Sequence, residues 1–560
     1  MGQEFEAVHR GPKELIWKHL GDAELQRHIG EPTLRRLEPV LQALDPLGGV
    51  KVYGRGVLAK IFHSFVGVDL LADGVFRRGL LERLPRDVLA KVADTTGITG
   101  EKFEFGPLVE RILEVGWRDE SFIKKFMCAL GLDEVYQCPE TDGFQPVVEL
   151  GRAEFPYKPL KDYQFAVHCD AMKRLDSQFA RFLIQMPTGS GKTRTAMEFL
   201  SEVLNRSALD SLVVWVAHSE ELCSQAVQCF SEVWSHVGIH SLKCYRCWGA
   251  AGRLPAPRSG RGIVFGGFQR LHSIQVRNPD SISVLASQIR LVVVDEAHKV
   301  MAPTYKAVCD ALLVSQGKLV GLTATPGRSA LGSDENRRLA EYFHNEIIQL
   351  PSEDGVSVIE MLRRRRILSR LISKPLVSSS SFRLSKQELE YLAESLDLSA
   401  GVLKSIGADD IRNVEIIKRL RQECSQGKRV IFFGCNVEHS RFVCALLTYF
   451  GVKAAHVDGQ TGSMRRRTII ESYKRGETQV ICNFGILTTG FDAPKTDVVF
   501  IARPTASVVL YSQMIGRGLR GPELGGTETC TLIDVRDNID GFVGQTDLYS
   551  YFDEYWTAAG

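Results

Sequence analysis

The sequence predicts an α/β protein with two tandem parallel-sheet units behind a mostly helical N-terminal region. Three observations point there. The chain has 560 residues, too many for one core and enough for roughly three or four domains. From Phe182 onward, short continuous apolar runs alternate with helical patterns, the texture of strands buried on both faces. Before that, apolar residues recur at three- and four-residue spacing, as along one face of a helix.

Taken in order, residues 1–150 read as a mostly helical accessory domain, with "ELIWKHLGDAELQRHI" and "GLLERLPRDVLAKVAD" carrying the helical spacing. No catalytic constellation lies there. These patterns suit a bundle that binds nucleic acid or a partner protein, and ordinary packing explains the same apolar positions. Residues 151–350 form the first sheet unit, with strands expected at "FLIQM", "LVVWVA", "IVFGG", "LVVVD" and "LVGLTA". Residues 351–537 form the second. It opens with "LRRRRILSRLISKPLVSSSS", read as linker and first residues of the unit. Strands are expected at "VIFFG", "AAHVD", "QVICN", "VVFIA" and "TLIDV". The remainder, 538–560, reads as an aromatic docking tail.

Composition narrows the class of partner. Lys plus Arg total 69 against 67 acidic residues, a net charge of +2, so a nucleic-acid site must be a local patch rather than a global basic field. The 13 cysteines are scattered and odd in number behind a start without signal-peptide character, which reads as reduced thiols in the cytoplasm. No apolar run approaches the roughly 20 residues that a membrane helix needs. Glu6 stands where a myristoylation signal carries Ser or Thr.

Chemistry enters at "RFLIQMPTGSGKTRTAMEFL". Gly189 and Gly191 permit a tight strand-to-helix turn whose backbone N–H groups, with those of Thr188 and Ser190, point at an anion. Lys192 can reach β- and γ-phosphate oxygens, and the Thr193 hydroxyl can ligate Mg²⁺. Met186 departs from the Gly that opens the strict phosphate-loop pattern. At "LVVVDEAHK", Asp295 ends an apolar strand, where a carboxylate can hold Mg²⁺ through its water shell. Glu296 beside it can orient and deprotonate an attacking water.

With these motifs the chain resembles the superfamily 2 DEAD/DEAH-box helicases over roughly residues 155–537. It is closest in motif wording to RadD-type and XPB-type helicases and restriction-enzyme motor subunits. "LKDYQ" resembles the adenine-contacting element, with Gln164 as base reader. "VVWVAHSEELCSQA" and "VFGGFQRL" resemble the nucleic-acid-facing loops, and "GLTATPGR" the coupling motif with Thr323 and Thr325. His298 stands where the RNA-remodelling group has Asp. "RVIFFGCNVEHS", "ILTTGFDAP" and "QMIGRGLRG" resemble the motifs of the second lobe.

The resemblance implies two RecA-like lobes, with ATP and Mg²⁺ held between them. Gly490, Asp492 and Gln513 would contact the nucleotide. Arg517 and Arg520, three apart and expected on one helical face, would reach the γ-phosphate as arginine fingers. It also implies a polynucleotide track over Ala217, His218, Phe268, Gln269 and Arg270, continuing over Cys435, Asn436 and Thr488. The run Arg363–Arg366 reads more as a solvated helix face than as part of that track. His236, His240, Cys244 and Cys247 have a spacing that could suit zinc, yet the surrounding domain needs no metal staple. No nuclease pattern is found.

The reading is an ATP-dependent helicase or translocase acting on DNA, with a role in DNA repair or anti-phage defence. The rivals are an RNA helicase and a restriction or defence motor that translocates without unwinding. A binding scaffold without turnover would require the loss of Lys192, Asp295, Glu296 or Arg517, and all four are present.

Overall fold

The computed structural model describes residues 21–45, 54–66, 74–98, 105–114, 117, 120–129, 145–177, 179–207, 211–249, 252–256, 260–313, 317–325, 334–351, 356–395, 397–487 and 495–540. The motif V residues Thr488, Gly490 and Asp492 and most of the C-terminal tail lie outside them.

The first sheet contains β1 (Val147–Leu150), β2 (Arg181–Gln185), β3 (Leu212–Ala217), β4 (Leu242–Cys247), β5 (Gly262–Gly267), β6 (Ile289–Asp295), β7 (Lys318–Thr323) and β8 (Ile347–Gln349). Its strand order is β1-β4-β5-β3-β6-β7-β2-β8. Every pairing is parallel except the edge pair β1–β4. The pleat explains the unbroken apolar runs. In β3, Val213, Trp215 and Ala217 enter one core while Leu212, Val214 and Val216 enter another on the opposite face.

The second sheet contains β9 (Arg370–Ser373), β10 (Leu376–Arg383), β11 (Val430–Phe433), β12 (Ala454–Val457), β13 (Val480–Asn483), β14 (Val498–Ile501) and β15 (Thr529–Asp540). Its order is β10-β15-β14-β11-β13-β12, with β9 also paired to β15. Thus the stretch read as linker and first residues of the second unit supplies two strands of its sheet. β9 pairs with Thr529–Leu532 of β15, and β10 with Val535 to Asp540 farther along. Its serines and charges hid them, because these strands pack mainly as an edge. A buried bidentate pair, Arg412 Nε and Nη2 to Asp537 at 2.6 and 2.9 Å, ties the helix Asp410–Ser425 to β15.

The described N-terminal residues form seven helices: Asp22–Ile29, Glu31–Leu44, Arg55–Val66, Gly74–Leu81, Arg86–Thr96, Phe105–Glu114 and Glu120–Ala129. Although they precede the first sheet in sequence, they pack on the second. Leu37, Leu41, Leu58 and Phe62 share one core with Ile416, Leu420, Phe442 and Leu446, and with Val430, Phe432 and Phe500 of the sheet. Arg36 fixes the seam, donating to Gly407 O at 3.2 Å and lying 4.4 Å over the Phe442 ring. Among the described residues, no helix is long and apolar enough to cross a membrane.

Candidate active site

The loop after β2 is held by the segment that precedes it. Tyr163 donates its hydroxyl to Ser190 O at 2.8 Å, and Gln164 Nε2 donates to the same carbonyl at 3.3 Å. The other end of the Gln164 amide accepts from Lys161 N–H at 3.0 Å. Gly191 has φ 86°, and a side chain there would strike Gln164 Nε2, so both the torsion and the space demand glycine. The helix Lys192–Arg206 then starts with no side-chain cap and no acid in its first turn. Its first N–H groups therefore face the loop unclaimed by side chains, beside Lys192 and Thr193. That arrangement fits a phosphate chain.

Lys192 Nζ stands 4.0 Å from Asp295 Oδ1 and 3.8 Å from Glu296 Oε1, between two buried carboxylates. Burial raises the Asp295 pKa, against the pull of Lys192. Burial acts the same way on Glu296, but Lys192 and the neighbouring His298 and Lys299 outweigh it and hold that carboxyl below the usual range. A buried carboxylate at a strand end, pressed toward neutrality by desolvation, is suited to a cation, which would restore its charge. The residues therefore fit Mg²⁺ held by Asp295 and the Thr193 hydroxyl.

Glu296 has φ 54°, a left-handed conformation for a residue with a side chain. The turn Ala297–Lys299 follows directly. His298 Nδ1 lies 3.4 Å from Glu296 Oε2 and 3.2 Å from Thr323 Oγ1. Burial lowers its pKa to about 3, so the ring is neutral. Thr323 Oγ1 in turn donates to Thr325 O at 2.6 Å. Glu296, His298, Thr323 and Thr325 thus form one polar chain leading away from the site.

The second lobe closes over this loop. Leu368 and Leu519 flank Gly189, and a methyl placed on Gly516 would overlap Thr188 Cγ2. Gln513 is buried with its Nε2 unpartnered among the described groups, an orphan donor beside the closing turn. Arg517 and Arg520 do not share a helical face as their spacing predicts. The helix Val508–Ile515 ends before them, Gly516–Gly518 is a short 3₁₀ turn, and Arg520 bridges Leu368 in extended form. Glycines at 516, 518 and 521 allow close backbone packing that a continued helix would forbid. Ion pairs join the lobes on either side: Lys161–Glu523 at 2.9 Å and Glu221–Arg466 at 3.6 Å.

Several candidates for the polynucleotide face are placed otherwise. Phe268 is 1% exposed and stacks on Tyr305 at 4.1 Å, so it is core and its side chain offers nothing to a ligand. Ala217 and Cys435 are also fully buried. Asn436 caps the helix Val437–Tyr449, accepting from His439 N at 2.7 Å and donating to Leu403 O at 3.2 Å. Arg270 donates to Gly252 O at 2.8 Å. His218 and the exposed Gln269 do meet, Gln269 Nε2 donating to His218 O at 3.2 Å.

The arginine run divides as well. Arg363 is buried at its side chain, whereas Arg365 pairs with Asp162 at 3.0 Å and Arg366 with Glu528 at 2.9 Å. Cys244 and Cys247 point to opposite faces of β4, into different cores, which separates the imagined zinc ligands. The residues that the sequence reading missed are Tyr163, Leu368, Leu519 and Lys299. Three had a signal in the sequence: Tyr163 stands in "LKDYQ", Leu519 in "QMIGRGLRG", and Lys299 directly after the Asp-Glu-Ala-His run.

Comparison with known proteins matches both sheets in order. Residues 157–328 match the model of the type III restriction enzyme res subunit, and residues 412–521 match the helicase conserved C-terminal domain. The chain carries the paired RecA-like motor domains of a superfamily 2 helicase. Among its relatives is the IRC3 helicase of Saccharomyces cerevisiae, 24% identical over 64% of this chain and 49% of that protein. Another is the mitochondrial irc3 helicase of Schizosaccharomyces pombe, 26% identical over 68% of this chain and 58% of that protein. The chain therefore spans about half the length of these two curated relatives. A solved HsdR fragment of a type I restriction enzyme from Vibrio vulnificus aligns over 76% of this chain and 70% of its own. The TM-score is 0.47 at 20% identity.

Proposed function

We propose that this chain is an ATP-dependent DNA helicase or translocase that hydrolyses ATP between its two lobes. The observation that carries the reading is Lys192, set between Asp295 and Glu296 beneath an uncapped helix start, with the Gly516–Gly518 turn of the other lobe closed over the loop.

In this mechanism the loop N–H groups and Lys192 bind and orient the phosphates, and Gln164 recognises the base after exchanging its contact with Ser190. When bound, Mg²⁺, held by Thr193 and Asp295, neutralises charge on the phosphate oxygens. Glu296 holds the attacking water and accepts its proton at the carboxylate. Arg517 and Arg520 supply positive charge from the second lobe, and Gln513 donates its orphan N–H. The chain His298–Thr323–Thr325 links the state of Glu296 to the first lobe's surface. His218 and Gln269 remain the candidates for gripping the polynucleotide, with contacts to phosphate that tolerate sequence.

Action on DNA is favoured by relatives named as DNA helicases, MPH1 of Scheffersomyces stipitis and Fancm of Drosophila melanogaster. RNA helicases are among the relatives too, including DBP3 of Yarrowia lipolytica. A second reading, a restriction or defence motor, is favoured by the res-subunit match. Steady-state ATP hydrolysis by the full chain with single-stranded, duplex and forked DNA, and with RNA, tests these. Stimulation by DNA above RNA is expected. The reverse order would make the chain an RNA helicase, and triplex displacement without duplex unwinding would make it a translocating motor.

A further inference from the structure

The loop after β3 and the turn after Glu296 are joined by a contact that the mechanism above does not use. Lys299 Nζ lies 2.9 Å from His218 Nε2. Burial first, and then the Lys299 charge, lower the His218 pKa to about 4, so the ring is neutral and Nε2 accepts from the ammonium. The same imidazole sits on the residue whose carbonyl takes the Gln269 amide from the exposed side. At the other end, Lys299 N donates to Glu296 O at 3.0 Å, closing the turn that begins on the left-handed Glu296.

A left-handed glutamate is strained and persists only where its surroundings over-determine it. Asp295 Oδ1 accepts from Glu296 N at 3.0 Å, and two further side-chain contacts hold this residue. One is its side chain against Lys192 and His298. The other is the Lys299 side chain, which anchors the far end of the turn to His218. The Lys299 charge also helps to hold the Glu296 carboxyl below its usual range, after Lys192 and His298.

We infer that Lys299 is a positioning residue. Through its hydrogen bond to His218 it holds the turn that aims the Glu296 carboxylate, and so ties the polynucleotide-facing loop to the hydrolytic step. This rests on the proposed roles of Glu296 and of the His218 loop. A polynucleotide that orders His218 and Gln269 tightens the anchor. Without one, the anchor is formed but weaker, and the carboxylate is held less firmly. A misplacement of about 1 Å at a reacting group is worth up to roughly a hundredfold in rate.

The test uses the full chain and four variants: Lys299→Met, Lys299→Arg, His218→Ala and the Lys299→Met/His218→Ala double. kcat and KM for ATP are measured with and without a single-stranded DNA oligonucleotide, and oligonucleotide affinity is measured by fluorescence anisotropy. Lys299→Met should lower kcat by roughly tenfold or more while leaving KM and oligonucleotide Kd within about twofold. Lys299→Arg, which keeps a donor, should recover most of the rate. The double variant should be no slower than Lys299→Met, because the two side chains act as one unit.

A Lys299→Met enzyme with wild-type kcat, or one whose KM and Kd rise as far as kcat falls, would overturn the inference. So would strictly multiplicative losses in the double variant. Failure of the wider reading looks different. The wild-type chain would then show no stimulation by any polynucleotide, yet Lys299→Met would still lower the unstimulated kcat if the anchor holds.

Discussion

The second lobe meets its two neighbours in different ways. Toward the N-terminal helices it presents alternate residues of its strands, Val430, Phe432, Val480, Cys482, Val498 and Phe500, in a core continuous with Leu37, Leu41 and Leu58. The other residues of the same strands, Ile431, Phe433, Ile481, Val499 and Ile501, belong to the core that continues into the first lobe. At the nucleotide cleft, however, the first lobe is met by glycines, the arginine turn and the ion pairs Lys161–Glu523 and Glu221–Arg466. A dry apolar seam is costly to open, because every exposed Å² loses about 25 cal/mol. An exposed ion pair such as Lys161–Glu523 re-solvates cheaply, whereas Glu221–Arg466 is half-buried. Both seams are thus apolar in part, and the contrast lies at the cleft, where glycines and charged pairs stand in place of the side-chain packing that holds the helices at the start of the chain on the lobe at its end.

That contrast can be broken or sharpened by substitution. The largest effect is expected at the cleft, where Arg517→Ala should lower kcat by about 10³-fold or more with ATP affinity largely retained. An equal loss of affinity, read by nucleotide titration, would remove Arg517 from the hydrolytic step. Glu296→Gln should come next. It should bind ATP and polynucleotide while turnover falls by roughly 10²–10⁴-fold in single-turnover assays, and near-normal turnover would reject it as the base.

At the seam the loss should be of stability rather than rate. Leu41→Ala, at a fully buried position, should cost about 2–5 kcal/mol. Hydrogen exchange should quicken in β11 and β14 but not in β3 and β6, and equal loosening of the first lobe would end the distinction. The smallest effect belongs to Lys161→Ala. Its pair with Glu523 is 43% and 47% exposed, so the loss should stay under about 1 kcal/mol and vanish at high salt in the same hydrolysis assay.

Much of this was legible in the sequence because strands buried on both faces announce themselves as apolar runs, and β3, β6 and β11 fall where such runs stand. The loop and its acids were legible because their spacing carries their chemistry. Contacts between distant segments were not. Nothing in the periodicity of Glu31–Leu44 says that it packs on Asp410–Ser425, about two thirds of the chain away. Local patterning records that a face is apolar without recording which partner covers it. Phe268 was misplaced for the same reason, since only Tyr305 beside it decides that it is interior. The helical face assigned to Arg517 and Arg520 failed because spacing was read without the three glycines among them.

One pairing has a mechanical meaning. Leu368, on the segment that leaves the first lobe, bridges Arg520, and Ser369 N donates to Leu519 O at 2.8 Å. The pivot and the tooth of the motor are therefore cut from one piece. Any swing that begins where the chain crosses between lobes carries the arginines as a crank carries its pin. The backbone that carries Arg520 is thereby fastened to the crossing strand at two neighbouring points.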